Sequence, residues 1–148
     1  MHTVNHAAVG AGLALILPPA AALPLAFLSH FVLDALPHYG VQGDEGYAAL
    51  FKHKRTNLMV LVDIVGFIIL LLIVAGSPWY VYVAMALAVL PDLAWPYRYY
   101  FFEKRGKKPG NGLVINFHKS IQWCERSWGI FIEIPFAAVA LYGVSKLV

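Results

Sequence analysis

Asn57-Leu58-Met59-Val60-Leu61-Val62-Asp63-Ile64-Val65-Gly66-Phe67-Ile68-Ile69-Leu70-Leu71-Leu72-Ile73-Val74-Ala75 holds one ionisable side chain, Asp63, in an otherwise apolar run. At ~1.5 Å rise per residue, about 20 such residues cross a ~30 Å hydrocarbon core as a helix. Downstream, the turn Gly76-Ser77-Pro78 leads into a second apolar segment, Trp79 to Trp95, and a further one runs from Trp128 to Leu147. Upstream, Val4 to Leu17 stops at Pro18-Pro19 and Ala21 to Leu36 stops at Pro37, since proline lacks an N–H and clashes with the preceding turn. These two are too short to cross comfortably, which predicts a short helical hairpin; one broken span is the rival reading. Hydrophobic residues make up 60% and charged residues 13% of the 148-residue chain. A soluble domain carries ~25% charged residues, so composition points the same way as the segments. The fold expected is all-α: a polytopic integral membrane helical bundle of about five hydrophobic helices, the first two short and hairpin-like, plus an interfacial amphipathic helix. It forms a single membrane domain over residues 1–148.

Threading these segments through a bilayer sorts the charges. Every Asp, Glu and His falls at one end, as does every Lys and Arg except Lys146. The bias of Lys and Arg toward cytoplasmic loops places that end in the cytoplasm, with the C-terminus outside. The start Met1-His2-Thr3-Val4-Asn5-His6 lacks the basic region of a secretory signal, so the first apolar stretch is expected in the mature protein. Ala8, Gly10, Gly12 and Ala14 allow close helix packing. Cys124, the single cysteine, reads as a small, partly buried residue. A net charge of +3, accounted for by the loops, gives no case for nucleic-acid binding.

The strongest motif is Ser29-His30-Phe31-Val32-Leu33-Asp34-Ala35-Leu36-Pro37-His38. His30 and Asp34, four apart, share a helix face with Cβ atoms about 5 to 6 Å apart, close enough to hold one ion. His38 joins them only if Pro37 breaks the helix and folds it back; otherwise His38 serves a second ion. A His–Asp hydrogen bond ending a span is the plainer reading, but polar residues from the other segments reach the same depth. They are His2 and His6, Asp63, Asp92 in Leu90-Pro91-Asp92-Leu93, and Glu133. Lone charges at that depth are costly, whereas paired or metal-bound ones are tolerated. From Leu113 to Arg126 the chain reads as an amphipathic interfacial helix, with His118, Gln122 and Glu125 on one face and Phe117, Ile121, Trp123 and Trp128 as anchors. His6, His30, Asp34, His38, Asp92 and His118 are therefore the candidate metal ligands.

The pieces His6-Ala7-Ala8-Val9-Gly10, Ser29-His30 through His38-Tyr39-Gly40, and Leu90-Pro91-Asp92 resemble parts of the small membrane-bound metal-dependent hydrolases of bacteria and archaea. That family's His-Arg-Gly-x-Thr-His-Ser element is absent, with His118-Lys119-Ser120-Ile121-Gln122 as a distant counterpart. The resemblance implies a helical enzyme of a prokaryotic cell membrane that uses a bound metal to hydrolyse an ester or phosphoester.

Imidazoles with carboxylates suit Zn first, with Mn or Fe as alternatives, and such an ion brings a bound water to a pKa of about 7. Asp63 and Glu125 are the candidate catalytic bases, Asp63 for its depth without a histidine partner in its own helix and Glu125 for the face it shares with His118. Lys104-Arg105-Gly106-Lys107-Lys108 would attract anionic lipid headgroups at roughly 1 kcal/mol per basic residue. Membrane lipids are thus the expected partners. No Gly-rich phosphate loop, Gly-x-Ser-x-Gly or His-Glu-x-x-His pattern is present, which removes support for kinase, serine hydrolase and zincin readings. A metal or proton pathway and a structural polar clamp remain the alternatives from other classes.

Overall fold

The computed structural model describes residues 1–40, 54–107, 116–117 and 120–148. Six α-helices carry the described chain: α1 (Thr3–Ile16), α2 (Pro19–Asp34), α3 (Lys54–Ile73), α4 (Trp79–Val89), α5 (Ala94–Phe101) and α6 (Ile130–Ser145). A 3₁₀ turn, Leu90–Leu93, links α4 to α5, because Pro91 has no N–H to continue the α-helical ladder. The predicted fourth segment is therefore a shorter helix plus a turn, with Asp92 carried on the turn. Two-residue strands β1 (His38–Tyr39) and β2 (Glu125–Arg126) pair in parallel, His38 against Glu125 and Tyr39 against Arg126.

Helices α1 and α2 fold back on each other across Leu17 and Pro18, with Pro19 in the first turn of α2, where a missing N–H costs nothing. His6 of α1 lies beside Asp34 of α2, so the pair is an antiparallel hairpin and the broken-span alternative is excluded. Helix α1 is the hub, packed against α2, α3, α4 and α6. Its inward residues are small: Ala7, Ala8, Ala11 and Ala14 meet Ala84 and Ala88 of α4 and Ala22 and Ala26 of α2. Gly10 lies so close to α4 that a Cβ there would stand 2.7 Å from the Ala84 carbonyl oxygen. Between α3 and α4 the chain turns through Gly76, whose φ of 86° is in the left-handed region that glycine enters without strain. The Tyr82 hydroxyl donates to the Val74 carbonyl at 2.8 Å, which also accepts the Ser77 N–H at 2.9 Å, and so ties α4 to the turn after α3.

Two stretches, Thr56–Ile73 and Ser127–Ser145, are long and apolar enough to cross a membrane, and only 11% and 17% of them are buried inside the protein. They are not core helices. Leu61, Ile64, Ile68 and Leu72 of α3 and Phe131, Val139 and Tyr142 of α6 point outward. Each large apolar side chain left in water forgoes roughly 1.5 to 3 kcal/mol, which makes this outward face unsuited to an aqueous surface.

The expected amphipathic helix ends earlier than its sequence suggests. Residues 116–117 and 120–121 are helical and Gln122–Cys124 tighten into a 3₁₀ turn, but Glu125 and Arg126 leave the helix to pair with β1. Two glycines permit this approach. A side chain on Gly129 would overlap the backbone of His38, and one on Gly40 would overlap the Glu125 side chain. Glu125 consequently lies in a strand and not on a helical face; His118, with which it was expected to share one, lies outside the described residues together with Lys108 and Lys119.

Candidate metal centre

Each helix delivers its polar residues at the end opposite the Pro18 and Gly76 turns. His6 comes from the second turn of α1, His30 and Asp34 from the last turns of α2, and Asp92 from the turn after α4. His6, His30 and Asp34 are fully buried, in a place where an uncompensated polar group costs several kcal/mol. The two imidazole rings stack with centroids 4.0 Å apart and planes 18° apart, which turns both Nε2 atoms the same way. His6 Nε2 lies 3.1 Å from Asp34 Oδ1, and His30 Nε2 lies 3.2 Å from Asp34 Oδ2. Asp92, 22% exposed, stands on the open side, its oxygens 3.9 Å from His6 Nε2 and 3.8 Å from His30 Nε2. The terminal ammonium of Met1 also meets Asp34 Oδ1.

The tautomer of His30 tests whether an ion fits here. Its Nδ1 lies 2.8 Å from the Ala88 carbonyl oxygen, which can only accept, so Nδ1 carries a proton. In the neutral ring, Nε2 then presents a lone pair toward a carboxylate oxygen 3.2 Å away. Two acceptors facing each other need a positive charge between them, either a second proton on the ring or a metal ion. The backbone hydrogen bond on the far nitrogen is also the usual outer support of a metal-bound histidine. Donor atoms of His6, His30 and Asp34 all lie within 4.8 Å of one another, a group that could hold a metal ion. Two imidazoles with one or two carboxylates are a donor set for Zn, Mn or Fe.

Of the remaining predicted residues, His38, Asp63 and Glu125 lie around this group and not in it, and His118 is outside the described residues. His38 is buried, but the helix ends at Asp34 and the chain beyond Pro37 enters β1, so His38 stands beside His2. Its Nδ1 donates to the Leu36 carbonyl at 2.8 Å. Asp63 accepts the Val4 N–H at 2.7 Å, and Glu133 accepts the His2 N–H at 2.8 Å. Carboxylates from α3 and α6 thus satisfy open donors at the start of α1, where the helix dipole also favours negative charge. Glu125, half-buried, lies within electrostatic reach of Asp34; burial raises its carboxyl above its ordinary pKa and Asp34 adds to the rise, while the Met1 ammonium opposes it. Burial lowers the His2 imidazole, the Met1 ammonium and His38 act in the same direction, and Asp63 opposes them.

The sequence placed His2 and Glu133 at the depth of the site but made neither a ligand nor a base. Their mutual contact, His2 Nε2 to Glu133 Oε2 at 3.2 Å, joins residues from opposite ends of the chain. The depth of Glu133 in an apolar segment was the one available signal. No family model, curated protein or solved structure matches this chain.

Proposed function

We propose that this protein is a membrane-embedded, metal-dependent hydrolase acting on a membrane-associated ester or phosphoester at the cytoplasmic face of a prokaryotic cell membrane. One observation carries the reading: donor atoms of His6, His30 and Asp34 converge from two helices with Asp92 beside them, in an arrangement that could hold a metal ion. The resemblance of these same stretches to membrane-bound metal-dependent hydrolases supports it. A bound divalent ion would polarise the scissile carbonyl or phosphoryl oxygen and acidify a water. His6, His30 and Asp34 hold the ion, and Ala88 orients His30. Asp92, partly exposed, faces the side from which substrate arrives.

We assign proton acceptance to Glu125 first, because it lies half-buried near Asp34, and to Asp63 second, because it already accepts the Val4 N–H. The exposed Trp123, Trp128 and Phe131 suit the headgroup level of a bilayer, and the exposed Lys104 and Arg105 suit anionic headgroups. The structural-clamp reading draws on the Met1–Asp34 ion pair, which also neutralises the carboxylate.

Elemental analysis of the purified chain, joined to hydrolysis assays on ester and phosphoester lipids in vesicles, separates the readings. A hydrolase retains stoichiometric metal and loses both metal and turnover in His30→Ala. A protein that retains no metal is a clamp. One that binds metal and hydrolyses nothing leaves the site to transport or structure.

A further inference from the structure

Helix α5 carries an outward stripe that neither the core nor the metal centre uses. Tyr97, Tyr100 and Phe101 stand at i, i+3 and i+4, so their rings share one face, and each is at least half exposed. The Tyr97 and Phe101 rings meet with centroids 4.9 Å apart. Lys104 and Arg105 continue the same spacing. Lys104 Nζ lies 5.5 Å from the centre of the Tyr100 ring, and the Arg105 guanidinium lies 5.4 Å from that of Phe101. Both are within the ~6 Å at which a cation is drawn to a ring face. Three rings and two cations form one strip.

The chain then folds the basic residues back on the end of α5. The N–H groups of Arg105 and Lys107 both donate to the Phe102 carbonyl, at 3.0 and 2.9 Å, and Gly106, with a φ of 65°, makes the left-handed step that closes the turn. Lys104, Arg105 and Lys107 are all exposed there, where the helix dipole also favours cations. Over residues 97–107 the sequence sets Arg98, Lys104, Arg105 and Lys107 against a single acid, Glu103. Among the described residues α5 packs chiefly against the 3₁₀ turns at its two ends, Leu90–Leu93 and Glu103–Arg105, so the stripe is not held against the bundle.

Water suits the cations but not three adjacent rings, and hydrocarbon suits the rings but not the cations. The headgroup layer of a bilayer suits both, with rings at the acyl boundary and cations at the phosphates. The outward apolar faces of α3 and α6 already call for a bilayer around the protein. We propose that α5 and the turn after it form a docking arm for anionic phospholipid headgroups of that bilayer, joined to the metal group through the turn that carries Asp92. This rests on the membrane-embedded reading and is independent of hydrolysis and of bound metal.

The test is hydrogen exchange of the full chain in nanodiscs of phosphatidylcholine, alone or mixed with phosphatidylglycerol. Each exposed cation near an anionic surface favours the docked state about 5-fold, and three together about 100-fold. Amides of residues 94–107 are therefore expected to exchange up to about 100-fold more slowly in the mixed discs, and the difference is expected to shrink at high salt. The triple variant Lys104→Gln, Arg105→Gln and Lys107→Gln should lose it. All three side chains are exposed, and Lys104→Gln alone, with about 5-fold less protection, carries the test if the triple variant does not fold. An anionic surface also lowers local pH and slows nearby amides, a change the variant shares. Equal slowing in wild type and triple variant overturns the arm, as does a wild type that exchanges alike in both discs, which leaves the stripe to a protein partner. A chain that does not enter the discs overturns the membrane-embedded reading itself.

Discussion

Gly10→Ala probes how the fold positions the site. A Cβ at Gly10 would stand 2.7 Å from Ala84 O and 2.9 Å from Ala88 Cβ, whereas ordinary contact begins at 3.4 Å. Helices α1 and α4 would have to separate by roughly 0.7 Å, since a close-packed interior offers no void to absorb the methyl. Overpacking of this kind costs about 1 to 3 kcal/mol. Alanine also gains about 1 kcal/mol of helix propensity over glycine, which would obscure the effect in a single variant. Gly12→Ala is the matched control, because the nearest atom to a Cβ there is Val144 Cγ2 at 4.0 Å. The difference between the two variants isolates the crossing and should appear as Gly10→Ala melting about 3 to 9 °C below Gly12→Ala in detergent. The same shift acts on the metal site. Ala88, whose Cβ is struck, also supplies the carbonyl 2.8 Å from His30 Nδ1, and a 0.7 Å retreat carries that bond past about 3.2 Å, the usual limit for an N–H···O bond. Loss of such an outer partner weakens metal binding about 10- to 100-fold, measurable by competition with a chelator of known affinity. Equal melting temperatures and equal metal affinities in the two variants would refute the close crossing and its coupling to His30.

Asp34→Asn keeps the shape of a side chain that faces both His6 and His30 but removes its charge, so metal affinity at the His6–His30–Asp34 group should fall at least about 100-fold in a chelator competition. Asp63→Ala removes the acceptor for the Val4 N–H and should cost about 0.5 to 2 kcal/mol in unfolding experiments while the His6–His30–Asp34 ion is retained. Glu125→Gln should lower hydrolysis about 10²- to 10⁴-fold with metal content unchanged, and full activity in this variant moves proton acceptance to Asp63. In metal-free protein, the raised Glu125 carboxyl means the folded state holds its proton to higher pH than the unfolded state. Stability from that group is present at low pH and lost as pH rises through the folded pKa, so wild type should lose stability relative to Glu125→Gln between acid and neutral pH. A reporter fused after Val148 should read as external and one inserted near Gly106 as internal; the opposite pattern would place the site on the outer face.

Much of the helical layout was legible because proline and glycine punctuate it. Pro18-Pro19, Pro37 and Gly76-Ser77-Pro78 bound segments whose helices end within a few residues of them. The short lengths of α1 and α2 were legible too, and with them the hairpin. The path of the chain after Ile121 was not. Residues 113–126 have a good helical face, but Gly129 and Gly40 let β1 and β2 approach, and that tertiary pairing overrides the periodicity. Each glycine sits next to its own strand but meets the other strand's neighbourhood more than eighty residues away in sequence, so it gives no local sign of such a contact.

Within the site, His30 with Asp34 was readable because both sit on one helix at a fixed spacing, and His6 because it lies at the same depth as they do. What the sequence hid is the division of labour among the carboxylates. Asp34 faces two imidazoles, while Asp63 and Glu133, equally deep in apolar segments, accept backbone N–H groups of Val4 and His2 that lie 59 and 131 residues away. A buried carboxylate must find a positive or donating partner, and depth alone does not say which. At the start of a helix the open N–H groups compete with a metal for the same oxygens. Glu133 turns one oxygen to the His2 backbone N–H and the other to the His2 imidazole 3.2 Å away, so both of its carboxylate oxygens serve the start of α1 and not the His6–His30–Asp34 group.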